Sequence, residues 1–418
     1  MTAFQEFRCV LGDCCFAPGE LDYTCPQHGE LGTLDIVYDY ESLRASLDRD
    51  AISGGQIANH WRYLPLLPLA PDSQLPSLSV GWTPLYCAPR LAEKLGMKQI
   101  WIKDEGVNPT GSLKDRASSL VVARALQAGI EVVATASTGN AAAALAGLGA
   151  GLEQIEIVLF VPHDAPPAKI AQPLAYGAHV FLVDGSYDDA YELCTRACAE
   201  FGWYSRNTGV NPFTTEGKKT VALEIAEQLG WRAPDVVAVS VGDGSIISGI
   251  YKGFWDLLQL GWIEKLPRLL GVQAEGSAVL ANAWRAGLSP AAIKRRAVRT
   301  IADSIAAELP RDRSKALRAV RESHGAFVTV SDKHMLESIP LLGRLCGVFA
   351  EPAAAAVAAG VEQALQEGII DSNDEICLVS TGNGLKDIDR VRESVAGALP
   401  IPADVDVLRA RLEEIGLL

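Results

Sequence analysis

Glu131-Val-Val-Ala-Thr-Ala136-Ser-Thr-Gly-Asn140, running on into Ala141-Ala-Ala-Ala-Leu-Ala146, is the stretch on which the fold turns. Val132–Ala136 is a short apolar run stopped by Ser137-Thr138-Gly139, the pattern of a buried strand that ends in a turn. The alanines beyond are strong helix formers. Working outward, the same succession recurs. Gln99–Lys103, Glu156–Val161, His179–Val183, Val236–Val241, Leu269–Gln273 and Glu375–Ser380 read as strands, and Leu113–Gln127, Tyr187–Phe201 and Glu216–Leu229 as helices between them. This alternation predicts an α/β fold with parallel sheets buried on both faces. Such sheets bind ligands at the carboxyl ends of their strands, so the loops there are the candidate site.

The 418 residues suffice for two domains. Residues 1–35 are Cys-rich and turn-rich, and 36–85 form a connecting arm that ends at Trp82-Thr-Pro84. The 288–325 region, rich in charge, is expected to be helical and exposed. No apolar run reaches membrane-spanning length, and no basic start with an apolar stretch marks a secretory leader. The net charge of −14 argues against nucleic acid as a partner. The basic cluster of Lys294, Arg295, Arg296 and Arg299 reads as a solvated helix face. Nine scattered cysteines suit a reducing, cytoplasmic compartment better than a disulfide framework.

Four loops carry candidate chemistry. Asn108-Pro-Thr-Gly-Ser-Leu-Lys114 delivers a lysine to a helix start, where the dipole disfavours the ammonium form and favours a nucleophilic amine. In Ser137-Thr138-Gly139-Asn140, the N–H groups of a helix start suit a carboxylate, although simple capping by Ser137 or Thr138 explains the same residues. Gly242-Asp243-Gly244-Ser245-Ile246 offers backbone N–H groups to a phosphate, or makes a tight turn. Ser380-Thr381-Gly-Asn-Gly follows the last strand and offers a hydroxyl. Other chemistries lack support. Glu216-Gly-Lys-Lys-Thr220 fails the Walker spacing, there is no Gly-x-Ser-x-Gly elbow, and no histidines pair at zinc-protease spacing.

Taken together, Pro109-Thr-Gly-Ser-Leu-Lys-Asp-Arg116, Ser137-Thr-Gly-Asn140, Val210-Asn-Pro212, Glu216-Gly-Lys-Lys-Thr220, Tyr251-Lys-Gly-Phe254, Glu351-Pro-Ala353 and Gly384-Leu-Lys-Asp387 are collinear over about 300 residues. In this order they resemble the fold-type-II (tryptophan synthase β-like) pyridoxal phosphate (PLP) enzymes, and more narrowly the threonine synthase family. The resemblance implies two open twisted sheets flanked by helices. It implies a small domain at 118–214 inserted into a large PLP-binding domain of 36–117 and 215–418, and a homodimer. It also implies roles. Lys114 would hold PLP and move the substrate's Cα proton. Asn140 would meet the cofactor's ring hydroxyl, Gly242–Ile246 its phosphate and Thr381 its pyridine nitrogen. Ser137, Thr138 and Gly139 would hold the substrate carboxylate, and the expected reaction converts O-phospho-L-homoserine to L-threonine and phosphate.

Several positions depart from the family pattern. Thr208-Gly209 stands where Asn-Ser is usual, Thr214 where an arginine is usual, and Asp243 where an asparagine is usual. A substrate phosphate needs such donors. Either Lys218, Lys219 or Arg206 supplies the charge, or the enzyme is a sibling that performs β-elimination or β-replacement on an unphosphorylated amino acid. A non-catalytic PLP-binding homologue is the remaining alternative. Cys9, Cys14, Cys25 and His28 resemble a variant of the zinc knuckle that some threonine synthases carry, with a metal-free hairpin as the other reading.

Overall fold

A computed structural model describes residues 3–165 and 167–418. Thirteen strands occur among them, in three sheets. The first, β1 (Phe4–Cys9), β2 (Cys15–Phe16) and β3 (Leu34–Tyr38), is an antiparallel ribbon in the order β2-β1-β3. The second contains β4 (Leu85–Cys87), β5 (Gln99–Asp104), β10 (Val236–Ser240), β11 (Arg268–Ala274), β12 (Ala326–Val330) and β13 (Glu375–Ser380). Its order is β12-β11-β10-β13-β5-β4, parallel except for β4. The third is the parallel sheet β8-β7-β6-β9, made of β6 (Val132–Ala136), β7 (Glu156–Pro162), β8 (His179–Val183) and β9 (Tyr204–Ser205). The expected α/β class is the observed one.

The apolar runs are strands because both faces of the sheets are covered. Every residue of β10 is buried, and Val237 and Val239 face one core while Val236 and Ala238 face another. The helix Phe213–Gln228 packs so closely on Lys114–Gln127 and Ser245–Gln259 that a Cβ on Gly217 would lie 2.2 Å from the Arg116 carbonyl oxygen, and one on Gly253 2.4 Å from that of Lys219. Only glycine permits this approach. It draws Lys114, Lys218 and Ser245 towards one centre.

Buried charge on these helices is paired, as a low-dielectric interior requires. Arg116 donates to Glu105 and Glu224, and Lys103 donates to Glu224, all fully buried. Burial opposes ionisation of Glu224, yet Arg116 and Lys103 outweigh it and hold its carboxyl well below the usual range. Lys219 sits between Glu216 and Asp256.

The 288–325 region differs from expectation. Its helical parts are Pro290–Ala292, Asp303–Ile305 and Arg313–Glu322, and the last is mostly buried. The basic cluster is exposed but lies on non-helical chain. There Arg295 pairs with Asp188, and the Arg299 amide donates to the Gly276 carbonyl. Among the described residues no helix is long and apolar enough to cross a membrane.

Candidate active site

The loops that leave β5, β10 and β13 in one sheet, and β6 and β9 in the other, enclose a cavity of about 420 Å³. Three backbone bonds join its floor. The Leu113 amide donates to the Thr381 carbonyl at 2.9 Å, the Asn383 amide to Gly111 at 2.9 Å, and the Glu351 amide to Gly382 at 3.1 Å. Lys114 opens the helix Lys114–Gln127 on this floor and lines the cavity. Burial lowers its pKa, and the nearby Arg206 guanidinium lowers it further, against the pull of Glu351 and Asp243. Both main causes favour the free, nucleophilic amine.

Asn140 begins the helix Asn140–Gly149. Its Nδ2 donates to both carboxylate oxygens of Glu351, at 3.0 and 3.2 Å, which leaves Oδ1 free to turn to a ligand. Burial raises the Glu351 carboxyl to about 7 despite that bond. Ser137, Thr138 and Gly139 line the same wall, and the Gly139 amide donates to Ser137 Oγ at 3.2 Å. Thr381 lines the cavity beneath them, its hydroxyl 3.5 Å from that of Ser240.

Gly242–Ile246 forms the opposite wall, at the start of the helix Ser245–Gln259. A Cβ on Gly242 would approach Ile305 Cα to 2.9 Å. Gly244 has φ +95°, and a Cβ there would meet Ala316 Cβ at 2.6 Å. The bare backbone is therefore required, and at the start of a helix such a backbone can offer N–H groups to an anion. Lys218 Nζ donates to Ser245 Oγ in this cradle. Asp243 lines the cavity too, but its Oδ1 is engaged by the Arg311 amide at 3.1 Å and its carbonyl by the Asp312 amide at 3.0 Å. Burial also raises the Asp243 pKa, which weakens its repulsion of an anion. Asp243 is thus an anchor for the 309–312 turn.

The positions that depart from the family pattern separate. Thr208 lines the cavity. Gly209 has φ +76°, and a Cβ would stand 2.7 Å from the Arg311 carbonyl carbon, so a packing demand explains this glycine. Thr214 is fully buried outside the cavity lining, and its hydroxyl donates to the Asn211 carbonyl at 2.8 Å. Of the three replacement cations, Lys219 faces Glu216 and Asp256, whereas Lys218 and Arg206 both line the cavity. Arg206, Arg311 and Glu351 are among the polar cavity residues to which the sequence gave no definite role, as are Tyr187, Asp188, Asp303 and Glu308. Glu351 had a signal in Glu351-Pro-Ala353. Arg206 follows a strand of two residues, too short to be legible.

In the N-terminal ribbon, the Sγ atoms of Cys9 and Cys25 each lie 3.4 Å from His28 Nδ1. That is close to the edge of a tetrahedral zinc site, roughly 3.5 Å for ordinary Zn–S and Zn–N bonds. Cys14 lies outside this mutually close triad but beside Cys25, with its Sγ 2.7 Å from Gln27 Oε1.

The cavity fits PLP. It offers an amine, a glycine cradle backed by the buried Lys218 side chain, and polar groups for a heteroaromatic ring. Comparison with known proteins agrees. The family described as "Pyridoxal-phosphate dependent enzyme" matches residues 76–382. Threonine synthase of Methanocaldococcus jannaschii is 39% identical over 98% of this chain and 99% of its own length. That of Methanosarcina acetivorans is 36% identical over 97% and 98%. Among solved structures, maize serine racemase superposes with TM-score 0.62 at 23% identity, covering 80% of this chain and 93% of that one. The processed form of threonine deaminase isoform 2 from Solanum lycopersicum superposes with TM-score 0.66 at 22%, covering 84% and 89%. These two carry the fold alone. A match over the whole length of curated relatives, joined to a cavity fitted for the cofactor, has one consequence: the chain belongs to the pyridoxal-phosphate dependent enzymes and, within them, to the threonine synthase family.

Proposed function

We propose that the chain is a PLP-dependent lyase that converts O-phospho-L-homoserine to L-threonine and phosphate. The observation that carries this reading is the convergence of Lys114, the Ser137–Asn140 turn and the Gly242–Ile246 cradle on one cavity, in a chain that matches threonine synthases from end to end. PLP supplies an aldehyde that captures amino groups and a ring that draws electrons from the carbons next to them.

The protein's own groups supply the rest. Lys114 would hold the cofactor through its amine, and the same amine is placed to take and return the proton at the substrate's Cα. Ser137, Thr138 and Gly139 orient the carboxylate. Asn140 Oδ1 and the Glu351 carboxyl address the ring hydroxyl, and Thr381 the ring nitrogen. A hydroxyl at that nitrogen, in place of a carboxylate, moderates the electron demand and suits elimination and replacement over transamination. Thr208 borders the space left for the rest of the substrate.

The same reading extends to a small domain of 118–214 set into 36–117 and 215–418, to a homodimer, to a cytoplasmic location, and to a zinc ion on Cys9, Cys25 and His28, with Cys14 as the fourth ligand once its turn shifts. The compact sheet built from residues 132–205 supports the division. The second reading, a sibling acting on an unphosphorylated amino acid, draws on Thr214, which lies outside the cavity lining and brings no charge.

The test is direct. PLP-loaded protein is given O-phosphohomoserine, and phosphate and threonine are measured together. Equimolar release of both is expected. Neither product, from protein carrying a full complement of cofactor, would overturn the proposal.

A further inference from the structure

Arg206 is fully buried, lines the cavity, and makes no ion pair with a described carboxylate. Its Nε donates to Ser118 Oγ at 3.2 Å and its Nη1 to Thr208 Oγ1 at 3.3 Å, both neutral groups. Its Nη2 has no partner. A buried guanidinium with a free donor is costly unless an anion completes it. Two further basic side chains line the space, Lys114 and Lys218, and in each burial and then the Arg206 charge lower the pKa and favour the neutral amine. The other large cation of the cavity, Arg311, is already committed, with Nη2 2.9 Å from Asp188 Oδ1 and its guanidinium 4.4 Å above the Tyr191 ring.

The cavity lining mixes basic and acidic side chains, and among them Arg206 keeps a buried donor that no described group takes, on an element separate from the glycine cradle. Lys218 donates to Ser245 in the glycine cradle, so it serves the anion bound there. Arg206 is held by Thr208 and Ser118, just beyond β9, and the Ser137–Asn140 turn that suits a carboxylate follows the neighbouring strand β6.

We propose that Arg206, steadied by Thr208, is the phosphate-recognition residue for the distal end of the substrate, in place of the arginine that Thr214 does not provide. A planar fork with one free arm suits a phosphate monoester, which accepts several hydrogen bonds. This rests on the reading of the substrate as a phosphorylated amino acid, and it makes Arg206 the residue that separates that substrate from homoserine.

The test compares holoenzyme with Arg206→Gln and Arg206→Lys. Cofactor content is read from visible absorbance, homoserine binding from the absorbance change it causes, inorganic phosphate from its inhibition of turnover, and KM and kcat with O-phosphohomoserine. In Arg206→Gln, cofactor content and homoserine affinity should match the wild type, KM should rise roughly 10- to 100-fold, and phosphate inhibition should vanish. Arg206→Lys, which keeps the charge and loses the fork, should fall between. Should Arg206→Gln fail to fold, Arg206→Lys and Thr208→Val carry the test through the same split between phosphorylated and unphosphorylated ligands.

Loss of cofactor, with an unchanged KM in the fraction still loaded, would assign Arg206 to the cofactor phosphate and overturn the proposal. An equal loss of affinity for homoserine and O-phosphohomoserine would assign it to the carboxylate and overturn it too. If the wild type does not turn over O-phosphohomoserine, the proposed function fails. An Arg206-dependent change of the cofactor spectrum on adding inorganic phosphate would still support the phosphate subsite, and no such change would refute it.

Discussion

Glu351→Gln gives the sharpest forecast from the electrostatics of the site. The Glu351 carboxyl is buried, bonded to Asn140, and raised to about 7 from an ordinary 4.5. Between those values the folded chain holds a proton that the unfolded chain has released, so stability falls as pH rises through this window. It is greatest below about pH 4.5, and the loss is complete above about pH 7. For a single group the linkage gives a loss of roughly 2.5 kcal/mol between pH 5 and pH 8. Glutamine keeps the shape and an oxygen for Asn140 but cannot ionise. Urea unfolding of the cofactor-free protein at pH 5, 6, 7 and 8 reads the effect as the difference between the two proteins. That difference cancels other titrating groups, such as His60, which burial lowers to about 3. The glutamine variant should gain on the wild type by about 2.5 kcal/mol across the range. Parallel pH curves would show that Glu351 is ionised throughout and would refute the reasoning.

Other outcomes follow from single contacts. Lys114→Ala should lose the visible absorbance of the bound cofactor, read by spectrophotometry after incubation with PLP, and an unchanged spectrum would move the cofactor to another lysine. Gly244→Ala forces φ +95° on a residue with a Cβ and pushes that Cβ onto Ala316. The left-handed backbone alone costs about 1–2 kcal/mol, so PLP affinity should weaken roughly 5- to 30-fold or more, measured by cofactor titration. Glu224→Gln leaves Arg116 and Lys103 short of a counter-charge in a dry interior. Stability should drop by about 3–5 kcal/mol, seen as a lower urea midpoint.

The sequence made the fold legible where apolar runs meet polar turns. Val132–Ala136, His179–Val183 and Glu375–Ser380 end where their composition changes, and the four loops behind such runs all reach one cavity. Short strands escaped, because β9 and β2 have two residues each and no periodicity to read. The 288–325 region was misjudged in part because charge suggested an exposed helix, whereas its one α-helix, Arg313–Glu322, is mostly buried. The region's role depends instead on distant partners, such as Gly276 for Arg299 and Asp243 for Arg311. Asp243 itself reads as a liability for an anion, and the bond that engages its carboxylate comes from a residue 68 positions away. Arg206 was weighed in the sequence as one of three spare cations. What singles it out is three-dimensional: Lys219 is neutralised by Glu216 and Asp256, while Arg206 keeps a free arm.

The most direct test of the central claim is a comparison of kcat/KM for O-phosphohomoserine with that for homoserine, serine and threonine, using one preparation of holoenzyme at one pH. A cavity whose spare buried guanidinium recognises phosphate predicts preference for O-phosphohomoserine by a factor on the order of 100, with threonine and phosphate as products. Comparable or faster turnover of an unphosphorylated amino acid would contradict it.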